Sequence, residues 1–244
     1  MRRATEAETR STSSPERLHL AIAVIDAFVL LTLACQQQIL ANVLLRHNPR
    51  AIVVPVGSLA ELSSVEPDVL ARARLVAFTS DVIVPPAILS ALGYGAYNFH
   101  PGPPTYPGWL PGSFAIYDGA RTFGATAHKM IEQVDAGPIV GVSLFDLAPG
   151  TTLDALETLA FSHLARLYYE LAEQLVTSCS PLPELPIRWS GRKASRRRCA
   201  AACDIPVDIS ADELRRRVQA FGNLPPDIAP RITVHGYQFR IATR

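Results

Sequence analysis

Lysine is nearly missing from this chain: Lys129 and Lys193 stand alone against a background of arginine. The balance of 23 basic and 22 acidic residues excludes a global field for polyanions. The arginine excess reads first as a composition bias. Cysteine is scarce as well. Cys35, Cys179, Cys199 and Cys203 form no disulfide framework and no paired CxxC pattern. Cys199 and Cys203 give only a weak metal signal, so no metal is expected. The four read as ordinary thiols and fit a reduced, cytoplasmic protein. Repeats are absent. No uninterrupted membrane span is present either: LHLAIAVIDAFVLLTLAC carries His19 and Asp26 and runs into QQQ. The first seventeen residues lack the apolar centre of a signal peptide and read as a disordered tail. A glycine-rich turn is also missing near the first strand, where DAFVLL follows Ile25. A phosphate bound there would lack its backbone cradle.

What is present is an apolar chain, 48% hydrophobic over 244 residues, enough for one core and a small appendage. HLAIAVI (19–25) reads as a strand and 27–47 as a helix stopped by Asn48-Pro49. AIVVPV (51–56) reads as a second strand, and SSVEPDVLARA as a helix with Ser64 as candidate cap. LVAFTS (75–80) is a third strand. PPAILSALG is a short helix opened by prolines and closed by Gly93. AYNFH (96–100) is a fourth strand. A helix over 112–118, strands over 124–131 and 138–147, and a long helix over 151–178 follow. This alternation predicts an α/β fold with a doubly wound, mostly parallel, Rossmann-like sheet, its later strands free to pair antiparallel at one side. Pro181, Pro183 and Pro186 then break the chain. The remainder reads as a small α+β appendage: a capping box of Ser210 and Glu213 before a helix, and RITVHGYQFRI as a closing hairpin. The expected division is a tail at 1–17, a catalytic domain at 18–180 and an appendage at 187–244. The arginine-rich stretch 190–198 reads as a solvated loop.

Chemistry concentrates between Asn98 and Val140. On a strand, Asn98 and His100 point to one face. At the carboxyl end of a parallel strand that face borders the crevice where ligands sit in open α/β sheets. An amide and an imidazole there can donate to a carbonyl oxygen gaining negative charge. Asp135, in the VDAG turn, can hold an imidazolium, raise its pKa, or order a water that relays a proton. Asn98, His100 and Asp135 are therefore the candidate catalytic residues.

The stretch NFHPGPPTYPGWLPGSFAIYDGARTFGATAHKMIEQVDAGPIV resembles the signature of the folate-dependent formyltransferases. The match comprises Asn98, His100, Pro101, Ala115-Ile116, Gly119, Gly124, Thr126, His128, Asp135, Gly137, Pro138 and Ile139. The resemblance covers about residues 75–178. It implies transfer of a formyl group from 10-formyltetrahydrofolate to the primary amine of a small acceptor, without a metal. Asn98 and His100 would stabilise the oxygen of the tetrahedral intermediate, and Asp135 would support His100 and proton transfer. By matched spacing, Val82, Ile83, Val84, Leu89, Val134 and Asp135 would hold the pterin.

The loop after His100-Pro101 departs from the family's S-L-L-P pattern: Gly102 replaces the serine, and PPTYPGW follows. The same style of loop occurs in the sugar-nucleotide N-formyltransferases. This implies a nucleotide-linked amino sugar as acceptor, with Tyr106 and Trp109 as candidate substrate contacts. Both also suit anchoring in the core. The alternatives are a 10-formyltetrahydrofolate hydrolase, a methionyl-tRNA formyltransferase-like enzyme, or a non-catalytic folate- or partner-binding homologue. No membrane or nucleic-acid partner is expected. Oligomeric state stays open, a homodimer included.

Overall fold

The computed structural model describes residues 25–241. The expected tail at 1–17 and the start of the expected first strand, 19–24, lie outside them. Strand β1 is Ala27–Leu31, and helix α1 is Ala34–His47. The sequence reading had given AFVLL to the helix. Its five residues are all buried, because β1 lies between two parallel neighbours and is covered on both faces. The helix starts only where the polar QQQ can face solvent while Leu40, Val43 and Leu44 face inward. Asn48 then ties its end to β1 by donating to the Ile25 carbonyl.

Strand β2 (Ile52–Val56) leads into helix α2 (Leu59–Ser63). Ser58 caps α2, accepting from the Glu61 N–H; Ser64, expected to open the following helix, instead closes α2, and Glu66 stands at the start of the next one. Helix α3 (Pro67–Leu70), strand β3 (Ala73–Phe78), helix α4 (Pro86–Ala91) and strand β4 (Ala96–His100) follow. Next come helix α5 (Pro111–Asp118), strands β5 (Thr122–Lys129) and β6 (Ile139–Asp146), and helix α6 (Leu153–Thr177). The six strands form one sheet in the order β2-β1-β3-β4-β5-β6. The first four run parallel, and β5 and β6 are antiparallel, as the strand pattern implied.

Helix α6 covers one face, packing Leu164, Leu167 and Tyr168 against Phe78 and Phe99. Leu62, Leu70, Val84 and Leu92 cover part of the other. Arg74 is fully buried at the far end of α6 and donates to the carbonyls of Leu175, Tyr94 and Ser180. Among the described residues no helix is long and apolar enough to cross a membrane.

Beyond α6 the chain runs extended through its prolines, which lack the N–H a helix or central strand would need. Helix α7 (Arg196–Cys203) then begins at Ser195, whose Oγ accepts from the Arg198 N–H. The arginine run expected as a loop is thus helical from Arg196. The cap frees it, and Cys199 and Cys203, four residues apart, bury one side of it. Strand β7 (Asp204–Ile205), helix α8 (Ala211–Phe221) and the hairpin β8 (Arg231–Val234) and β9 (Tyr237–Arg240) complete a three-stranded sheet. Ser210 caps α8, but the Glu213 carboxylate turns to Tyr117 and Arg217 instead of closing the box, fastening α8 to α5. Phe221 meets Phe114 at 5.3 Å in the same contact.

Candidate active site

Strand β4 sets Asn98 and His100 on one face, while Phe99 points into the opposite layer and meets Tyr168 at 5.1 Å. The antiparallel register of β5 places His128 opposite Asn98 and Thr126 opposite His100. Cross-strand partners lie within side-chain reach. Asn98 Nδ2 accordingly donates to His128 Nε2 at 3.2 Å, and His128 Nδ1 donates to the Lys129 carbonyl at 3.0 Å. In the neutral ring these partners make Nε2 the acceptor; in the imidazolium Nε2 carries a proton and can turn it to Asp135 Oδ1, 3.2 Å away, which is how His128 can lower that carboxyl. His128 belonged to the sequence motif without being given a role. The period-two alternation of Gly124, Thr126 and His128, read against an antiparallel β4, is the signal that could have found it.

His100 Nε2 donates to the Tyr106 carbonyl at 3.0 Å, and its Nδ1 lies 3.5 Å from Asp135 Oδ2. Asp135 occupies the turn between β5 and β6 in the left-handed region, φ 46°, which Asp tolerates better than most residues. Its Oδ2 accepts from the Gly108 N–H at 2.7 Å. Its Oδ1 lies 3.2 Å from His128 Nε2, yet has no hydrogen-bond donor among the described residues. All three charged or chargeable groups are nearly dry: His100 and Asp135 are 5% exposed and His128 2%. Burial alone would push the Asp135 carboxyl up. His100, His128 and the Gly108 N–H together outweigh it and hold the carboxyl at about 2. For His100 the sequence expectation reverses. Burial lowers its pKa by more than Asp135 and the Tyr106 carbonyl raise it.

Gly102 is dictated by this packing. A Cβ there would lie 2.6 Å from His100 Nε2 and 2.8 Å from the Pro111 Cβ, so a serine cannot enter without moving the imidazole.

Two cavities meet at Asp135. The narrower, about 60 Å³, is lined by Val82, Ile83, Val84, Val134, Asp135, Asn98 and His128. Five of the six expected pterin contacts therefore share one wall with two of the polar site residues. Leu89 does not; it packs against the apolar cluster beneath α4. The wider, about 840 Å³ and open, is lined by Gln133–Ile139, Pro107, Glu184–Trp189, Gly191 and Lys193. Tyr106 and Trp109 line neither. The Tyr106 ring packs toward Phe123 at 6.1 Å, and Trp109 lies under Arg196, 4.8 Å from ring centre to guanidinium. Both side chains are drawn into apolar clusters next to α5, the anchoring in the core that the sequence also allowed.

The aromatic residue that does reach the site is Trp189, which the sequence reading left without a role. Its ring lies 5.1 Å from that of His128 and 5.8 Å from that of His100, at 89° and 71°, and its Nε1 donates to the Gly137 carbonyl at 2.8 Å. It comes from residue 187 onward, the stretch expected to form a separate appendage. No local signal marks it: it follows three prolines and stands far from the motif.

A sequence profile described as "Formyl transferase" matches residues 34–167, more than half of the chain. The methionyl-tRNA formyltransferase of Thermotoga maritima is 28% identical over 167 residues, covering 67% of this chain. The chain spans about half the length of the curated relatives it matches, 50% in that case. Among solved structures, a sugar N-formyltransferase from Shewanella sp FDAARGOS_354 superposes with a TM-score of 0.72 at 16% identity, over 89% of this chain and 96% of that one. An N-formyltransferase from Helicobacter canadensis, solved in complex with folinic acid and dTDP-3-aminofucose, superposes with a TM-score of 0.61 at 14% identity, over 87% and 85%. At these identities the superpositions speak for the fold, and the profile match speaks for descent: the chain belongs to the formyl transferase family.

Proposed function

We propose that this protein transfers a formyl group from 10-formyltetrahydrofolate to the primary amine of a small acceptor, an amino sugar carried on a nucleotide. The observation that carries the reading is Asp135. One of its oxygens is fixed by Gly108 and the other, buried, lacks a donor among the described residues, at the wall between two cavities. A buried carboxylate in that position can orient an attacking amine by accepting its N–H, and can relay its proton together with the flanking histidines. Asn98 Nδ2 carries two hydrogens, of which one is directed at His128. The other suits an oxygen that gains charge as its carbonyl is attacked. His100 and His128 flank the carboxylate and pass or hold its proton.

The folate supplies an activated one-carbon unit when bound. The apolar 82–84 segment fits an aromatic ring edge, with Val134 opposite. A volume of about 60 Å³ admits the edge of a pterin and not the whole ring, so entry requires that wall to yield. The wide cavity suits the bulkier acceptor, and Arg188 and Lys193 on its wall favour an anionic substituent such as a phosphate. Folate and amino-sugar nucleotide bound together in the Helicobacter canadensis relative support this pairing.

The test is a panel of amines, with nucleotide-linked amino sugars foremost, incubated with 10-formyltetrahydrofolate and read by mass spectrometry for N-formyl products. Product formation that disappears in Asn98→Ala and Asp135→Asn supports the assignment. Absence of product with every amine, from protein that binds folate, refutes it.

A further inference from the structure

We infer that Trp189 is a positioning residue that decides the fate of the one-carbon unit: its indole keeps bulk water off the His100–Asp135 pair, so that an amine is formylated and free formate is not released. The inference rests on the formyl-transfer reading. An enzyme of this design faces a competing reaction. The carboxylate that can take a proton from an amine can also take one from water. Attack by water forms a carbon–oxygen bond, breaks the bond between the formyl carbon and N10, and delivers a proton to N10, leaving formate and tetrahydrofolate. Nothing in Asn98, His100 or Asp135 distinguishes the two nucleophiles. Discrimination has to come from which of them can reach Asp135 Oδ1.

The segment from residue 185 to 194 supplies that control. It is stitched across both loops that carry the site. The Leu185 N–H donates to the Ile139 carbonyl at 2.7 Å, the Ser190 N–H to Pro104 at 2.9 Å, and the Ala194 N–H to Pro107 at 2.8 Å; the Trp109 N–H donates back to Ala194 at 3.1 Å. Lys193 Nζ donates to the Val134 carbonyl at 2.9 Å. Gly108 permits the crossing: a Cβ there would lie 2.2 Å from the Ala194 carbonyl oxygen. Within this strap the indole packs on both imidazoles and is anchored by its own N–H to Gly137. The result is a site whose two histidines and carboxylate are at most 5% exposed beside a cavity of about 840 Å³ that opens to solvent. An acceptor filling that cavity brings its amine past the indole edge. Isolated waters lack an equivalent approach while the ring is in place.

Full-length wild type, Trp189→Ala, Trp189→Leu and Trp189→Phe are compared for formate release without amine and for N-formyl product with amine. The ratio of release to transfer is expected to rise about tenfold in Ala and Leu and to stay within about threefold of wild type in Phe, which keeps the ring. The Leu variant keeps an apolar side chain, so the comparison survives if Ala fails to fold. An unchanged ratio in folded Ala or Leu overturns the inference. A second readout needs no turnover. In Trp109→Phe, Trp189 is the only tryptophan. Its emission should fall on acidification as imidazolium forms beside it, and fall less when His100→Gln is added. Emission indifferent to pH overturns the placement of the indole. Wild type that neither transfers nor releases formate, with the fluorescence response intact, overturns the formyl-transfer reading and this inference with it.

Discussion

Asp135→Asn removes a charge while keeping the side chain's size and its capacity to accept from Gly108. The carboxyl is held at about 2 in the fold against an ordinary 3.8. A folded pKa below the unfolded one means that the unfolded chain binds protons more readily. Stability from this group is then present above the unfolded value and is lost as pH falls through the folded one. The difference corresponds to about 2 kcal/mol above roughly pH 5. About 1 kcal/mol of it should disappear between pH 5 and pH 3. Asn has no such dependence. Urea or thermal unfolding of both proteins across this range should therefore show wild type ahead at pH 5 and the gap closing toward pH 3. For a chain of this size the closing gap amounts to about 2–4 °C in Tm. A gap that stays constant with pH, or no gap at pH 5, would refute the claim that the fold holds Asp135 ionised. The same variant should lose at least about a hundredfold in turnover if the carboxylate carries the proton.

Three further outcomes follow from the geometry. Asn98→Ala should lower kcat by about a hundredfold with the fold retained by circular dichroism, as for a lost oxyanion donor. Gly102→Ser, which restores the residue of the family pattern, should instead impair this chain, costing about 1–3 kcal/mol by displacing His100 or Pro111, read by unfolding and by kcat. His100 titrates below its ordinary 6.5 because burial opposes its charge. Wild-type stability should therefore decline as pH drops below about 6.5, and His100→Gln should flatten that limb of the unfolding profile.

The strand AYNFH was legible because its alternation, its length and the turn after it agree; it forms β4 with the expected bounds. The long helix and the closing hairpin were legible for the same reason. AFVLL misled because a continuous apolar run suits a buried helix as well as a strand covered on both faces, and periodicity cannot separate the two. Asn98, His100 and Asp135 were marked by residue type and by neighbouring turns, and the fold brings them together. His128 needed the pairing of β4 with β5, a fact held by no single segment. Trp189 needed tertiary structure altogether, since an extended proline-broken stretch announces nothing about what it crosses. Tyr106 and Trp109 stood out as aromatic residues in an exposed-looking loop, yet packing against α5 claimed both side chains.

The antiparallel placement of β5 beside β4 makes this site a gauge of strand alignment. Slipping β5 by one position would carry His128 to the reverse side of the sheet, among the packed aromatics of α6, and leave the Asn98 amide opposite Ala127 or Lys129, according to the direction of the slip. A chain misaligned in this way could keep its secondary structure and much of its compactness while losing half of its polar centre. Turnover would then report correct sheet assembly more sensitively than any spectroscopic measure of strand content.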